Sequence, residues 1–142
     1  MTTESITEYV ERLFPTVRQI SDPELRAKVV AGWERAWKAS SWKRIEDCPK
    51  SPNLPTDDLV SHVNAVTNCA LALADAFEAM GRMTVDRDIL ITAGLLHDIS
   101  KLVEFEQRDG KYGLSEVGTK LSHAVYATHV VLDLTPTNTL RD

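Results

Sequence analysis

The sequence predicts an all-α fold: a helical bundle with one short turn or hairpin after its fourth long helix. Three observations carry this. Apolar residues recur at helical spacing in every long segment, sustained alternation occurs in none, and helix start and stop residues bracket the periodic runs. Any strand is expected only around Glu104 to Tyr112.

Residues 4–14 place Ile6, Tyr9, Val10 and Leu13 at helical spacing, and Pro15 ends or kinks this first helix. Asp22-Pro23-Glu24 is a start signal, with Asp22 as the cap, Pro23 in the first turn and Glu24 favoured by the helix dipole. Leu25, Val29, Trp33, Ala36 and Trp37 then share one face. Trp33, Trp37 and Trp42 suit either ligand stacking or packing; the expectation is that they anchor an N-terminal helical pair, residues 1–47, onto the rest. Residues 48–56 carry three prolines and read as an extended connector.

A third helix is predicted from about Asp57 to Met80, closed by Gly81. His62, Val66, Cys69, Leu73 and Phe77 form its apolar stripe, expected to face the core. Thr84-Val85-Asp86 offers caps for a fourth helix, expected to run to about Val103. Asp109-Gly110 marks the turn or hairpin. Ser115 can cap a helical turn after the hairpin, and Gly118 weakens the first turns there. A last helix covers His123 to Leu134, bounded by Pro136, and the tail 135–142 has little apolar content to pack. The expected organisation is one domain over 1–142, with residues 57–134 as its core unit.

The formal net charge is −5 and no Lys/Arg stripe forms, which excludes a dedicated nucleic-acid surface but allows a nucleotide substrate. Cys48 and Cys69 are far apart, so neither a disulfide framework nor a zinc knuckle is indicated. They read as reduced thiols of a cytoplasmic protein. The start, Met-Thr-Thr-Glu-Ser, lacks the pattern of a secretion signal, and no apolar run is long enough to span a bilayer.

His97 and Asp98 stand side by side at the end of the apolar run 89–96. A neutral imidazole and a carboxylate are both ligands for a divalent metal. On a continuous helix the two diverge by roughly 100° and can reach one ion placed between them. Lys101, four residues past His97 and three past Asp98, projects over the same helix end. The pair alone fits equally a core-satisfied histidine and a solvated aspartate. The chain has four histidines, His62, His97, His123 and His129. His62 precedes the pair by one helix and turn, and His123 comes after it by another. His129 points roughly 120° away from His123 on one helix, so it reads as structural or surface, with Asp133 as a pairing partner four residues on.

This arrangement resembles the HD-domain superfamily of metal-dependent phosphohydrolases, over roughly residues 57 to 134. The resemblance implies an all-helical fold, a bound divalent metal and hydrolysis of a phosphate ester. It implies His62, His97 and Asp98 as metal ligands, with Asp98 also acting on the nucleophilic water. A histidine placed like His123 holds a second metal in the dinuclear branches, while in others that region contacts substrate phosphate. Lys101 matches the lysine that holds a phosphate oxygen, and Ser100 stands where the family often has glycine. A donor set without thiolates suits manganese, iron, zinc, cobalt or nickel, and the order of affinities does not say which. The family usually takes a further aspartate from a helix beyond the one bearing His123, so a shortened member is expected here. The face left over would pair two copies into a dimer around Ala124 to Leu134. The leading functional expectation is a phosphohydrolase acting on a nucleotide or other small phosphate ester. The alternatives are a degenerate binding or oligomerisation module and a di-iron oxygenase.

Overall fold

A capping box opens the first helix, α1 (Ile6–Leu13): the Ser5 hydroxyl accepts from the Glu8 amide, and the Glu8 carboxylate accepts from the Ser5 amide. The computed structural model describes residues 4–121 and 123–134, the side chains of 123, 124 and 131–134 excepted. Pro15 turns the chain into a 3₁₀ segment, Pro15–Gln19. Helix α2 (Pro23–Ala39) begins as expected, with the Asp22 carboxylate accepting from the Glu24 and Leu25 amides. Its buried face, Val29, Val30, Trp33 and Ala36, closes on α1, and the Phe14 and Trp33 rings stack at 4.3 Å. Trp33 is fully buried, and Trp42 stacks on Tyr112 of the later hairpin. Of the expected anchors, Trp42 reaches across to the remainder, whereas Trp33 and Trp37 pack within the N-terminal pair, on Phe14 and Tyr9.

The connector does more than span. After a short 3₁₀ turn, Ile45–Asp47, it folds back so that Pro49 bridges Asp58. The Leu59 amide donates to the Cys48 carbonyl at 2.9 Å. This closure fixes the start of α3 (Leu59–Ala79), capped by Asp58.

Helix α3 buries a different face from the one its apolar stripe predicts. Leu59, Val60, Val63, Thr67 and Ala74 point inward, whereas Val66, Leu73 and Phe77 are 36%, 59% and 43% exposed. The cause is close packing on α4 (Arg87–Leu96). A methyl group at Gly94 would lie 2.7 Å from the Thr67 Oγ1, so the two helices approach most closely where Gly94 has no side chain. Gly81 ends α3 in the left-handed conformation, and Asp86 caps α4.

The fourth helix does not continue to Val103. It ends at Leu96, and residues 97–100 form tight turns before a separate short helix, α5 (Lys101–Glu104). The bonds Ile99 to Leu96, Lys101 to Asp98 and Leu102 to Ile99 all span three residues. Asp98, Ile99 and Ser100 are consecutive and all buried, which one face of an α-helix cannot achieve; the tighter turn brings all three inward.

Strands β1 (Phe105–Arg108) and β2 (Lys111–Leu114) then form the expected hairpin, pairing Phe105 with Leu114 and Arg108 with Lys111. Its two-residue turn, Asp109 and Gly110, has positive φ at both positions, which suits the right-handed twist of the strands. Ser115 caps α6 (Glu116–Lys120), and α7 (His123–Leu134) packs back on α2. Among the described residues no helix is long and apolar enough to cross a membrane. The expectations for residues 135–142 lie outside the described residues.

Candidate metal centre

Three separate elements converge on one carboxylate oxygen. His62, one turn into α3, brings its Nε2 to 3.0 Å from the Asp98 Oδ2. His97 places its own Nε2 at 3.3 Å from that oxygen, and Lys101 brings its Nζ to 2.7 Å. The tight turn accounts for the lysine, because residues three apart eclipse one another in 3₁₀ geometry. The two imidazoles stand 5.6 Å apart, centre to centre.

The other ring nitrogen of His97 is also fixed: Nδ1 lies 2.7 Å from the Gly94 carbonyl. A proton on Nδ1 donates to that oxygen and leaves the Nε2 lone pair for a cation, the usual support behind a metal-binding histidine. One ligand atom each from His62, His97 and Asp98 falls within 4.8 Å of the others, so the three fit around a single ion. This donor set of two imidazoles and a carboxylate could hold a divalent metal.

The electrostatics suit that use. Burial lowers the pKa of His62, opposed by Asp98 and aided by the positive fields of Lys101 and Lys50, so its imidazole favours the neutral, ligating form. His97 is shifted upward, chiefly by its hydrogen bond to Asp98. Burial works to raise Asp98, but hydrogen bonds from His97 and Lys101 outweigh it and hold the carboxyl far below the usual range. The centre thus presents a permanent buried anion.

Of the residues singled out in the sequence, His62, His97, Asp98 and Lys101 stand together. The side chains of His123 and Asp133 lie outside the described residues. His129 is exposed, its ring 6.5 Å from that of Tyr126. No motif pointed to Lys50, whose charge acts on His62 from the folded-back connector. None pointed to Cys48 either, whose thiol lies 3.7 Å from the Lys101 carbonyl beneath the site.

A model of the HD-domain family matches residues 59–136, more than half of the chain. The chain belongs to the HD-domain family. The match spans α3, the His97-Asp98 turn and α7, so all four clustered residues fall inside it. The chain is also 34% identical over 113 residues to the dihydroneopterin 2′,3′-cyclic phosphate phosphodiesterase of Methanocaldococcus jannaschii. That alignment covers 72% of this HD-domain chain and 45% of the relative, so the chain matches about half of the relative's length. No solved structure matches at a comparable level.

Proposed function

We propose that this HD-domain protein is a metal-dependent phosphohydrolase that cleaves a small phosphate ester, with a cyclic phosphodiester as the first substrate to try. The convergence of His62, His97 and Lys101 on one buried oxygen of Asp98 carries this reading. The similarity to a cyclic phosphate phosphodiesterase supports the phosphodiester.

When bound, a divalent metal polarises a phosphoryl oxygen and lowers the pKa of a water. The chain's residues supply the rest. His62, His97 and Asp98 are the ligands in this reading. Asp98, kept anionic by hydrogen bonds from His97 and Lys101, would anchor the metal and also act on the nucleophilic water in this reading. Lys101, with its ammonium at the same oxygen, is placed to neutralise a phosphate oxygen as a point charge. Hydrolysis then adds water across one P–O bond, the new oxygen staying on phosphorus and a proton passing to the leaving oxygen.

The test is elemental analysis of protein purified without chelator, together with a panel of phosphomonoesters, linear diesters and 2′,3′-cyclic phosphates. Bound metal together with hydrolysis that a chelator abolishes is the expected result. Failure to take up manganese, iron, zinc, cobalt or nickel, with no hydrolysis of any ester, overturns the reading.

A further inference from the structure

A cavity of about 530 Å³ opens beside the centre, between α2, α4 and α7. Leu25 of α2, Ile89, Ala93 and Leu96 of α4, and Ala127 of α7 form its walls. Apart from two threonines, the remaining contributor is His97, and among the described residues no carboxylate, lysine or arginine lines the space. The volume falls within the roughly 300–1,000 Å³ common for small-molecule pockets.

Two features tie this groove to the metal centre. Ile89, Ala93 and His97 succeed one another at four-residue steps, so the groove runs along α4 as far as His97, the residue whose imidazole contacts Asp98. The His97 amide still bonds the Ala93 carbonyl at 3.0 Å, which keeps the histidine in line with the helix. Ile89 is 63% exposed, so the groove is open along its outer edge.

We propose that this groove receives the organic part of the substrate, and that the part it takes is apolar: an aromatic ring face or a compact hydrocarbon group. This rests on the phosphohydrolase reading, because it assumes a phosphate held at the neighbouring centre. The walls decide the chemistry. A sugar or the hydrogen-bonding edge of a base, pressed against leucine, isoleucine and alanine carbons, loses its water and finds few partners. A ring face or an alkyl group loses nothing there and leaves water favourably. His97 stands at the junction, with the groove on one side and Asp98 on the other.

The experiment compares two non-hydrolysable probes, 1-naphthylmethylphosphonate and methylphosphonate, by calorimetry on manganese-loaded protein. The naphthyl compound should bind at least about tenfold more tightly, by burial of its ring. Ala93→Leu, which fills the groove, should remove that advantage and leave methylphosphonate binding unchanged. Ile89→Ser, at an exposed wall, should reduce it in the same direction and guards against a misfolded first variant. Equal affinity for the two probes overturns the groove assignment and leaves the phosphohydrolase reading standing. If neither phosphonate binds, that reading falls and the assignment falls with it. A dimer in light scattering that Ala93→Leu dissociates would show a second copy covering the groove, and would also overturn it.

Discussion

Gly94 of α4 stands against Thr67 of α3 with no room for a side chain: a methyl group at position 94 would meet the threonine Oγ1 at 2.7 Å and two of its carbons at 3.1 Å. The contact lies one turn from His97, whose Nδ1 is held by the Gly94 carbonyl. It therefore sets the spacing between the helices that carry His62 and His97.

Gly94→Ala should force α4 away from α3, costing about 1–3 kcal/mol of stability as an overpacked contact. Metal affinity should fall as well, because the two imidazoles separate. Thr67→Ala removes the Oγ1 at 2.7 Å and one of the two carbons at 3.1 Å, leaving only the Cβ, so the double variant should recover part of both losses. Urea unfolding and metal titration of the four proteins measure this coupling. Additive losses in the double variant would show that the contact does not set the spacing.

Asp98→Ala and Lys101→Ala should separate metal binding from substrate binding. The aspartate variant loses an anionic ligand and should retain little metal. The lysine variant should keep metal near the normal level while kcat/KM falls about 10- to 100-fold, the worth of one charged hydrogen bond. Elemental analysis beside steady-state kinetics makes the comparison. Full metal occupancy in Asp98→Ala would remove Asp98 from the ligand set.

Tyr9 holds α1 to the 3₁₀ turn at Ile45–Asp47: its hydroxyl accepts from the buried Ile45 amide at 2.9 Å and donates to the Glu46 carboxylate. Burial, and then the bond to Glu46, push its pKa up to about 12. The neutral phenol is the form the fold prefers. Its contribution is full below the unfolded value near 10 and is lost as pH rises from there through about 12. Tyr9→Phe should cost about 1–2 kcal/mol at pH 8, since the Ile45 amide loses its acceptor. The gap between variant and parent should narrow at pH 11. Urea midpoints at the two pH values test it, and a constant gap would refute the alkaline part.

The two thiols should differ sharply toward an alkylating reagent. Cys69 is exposed, whereas Cys48 is buried and desolvation raises its pKa, so little thiolate forms. One thiol should react promptly in native protein and the second only after denaturant is added. Mass spectrometry of the modified peptide identifies the first, and early labelling of Cys48 would contradict the packing described.

The helix starts were legible because capping is local chemistry: Asp22, Asp86 and Ser115 each bond the amides expected of them. The hairpin was legible for the same reason, through Asp109 and Gly110. The inward face of α3 was not. Its helix is apolar on more than one side, and the choice fell to Thr67 and Gly94, where small size admits a neighbour. Hydrophobic spacing weighs large residues and cannot sense close approach. The break after Leu96 was hidden likewise, because Asp98 and Ser100 look polar in sequence yet are buried by the turn. His62, His97, Asp98 and Lys101 were visible through residue type and order alone. Lys50, which pairs with Asp57, was not, because its charge is brought toward His62 by a loop whose return path no motif encodes.

The cluster is built from one helical hairpin and the turn after it, with only the short loop between Ala79 and Arg87 to close. Short loops carry little closure entropy, and contacts of low sequence separation form fast. The hairpin can therefore zip from that loop toward His62 and Asp98 at its open end, and α1 and α2 dock on it across longer range. Interactions made late in folding act mainly on the unfolding rate. Loss of the hydrogen bonds that the Ser21 and Asp22 amides donate to the Asp88 carboxylate, which tie the start of α2 to α4, should thus shorten the lifetime of the native state while hardly slowing the formation of the hairpin that carries the site.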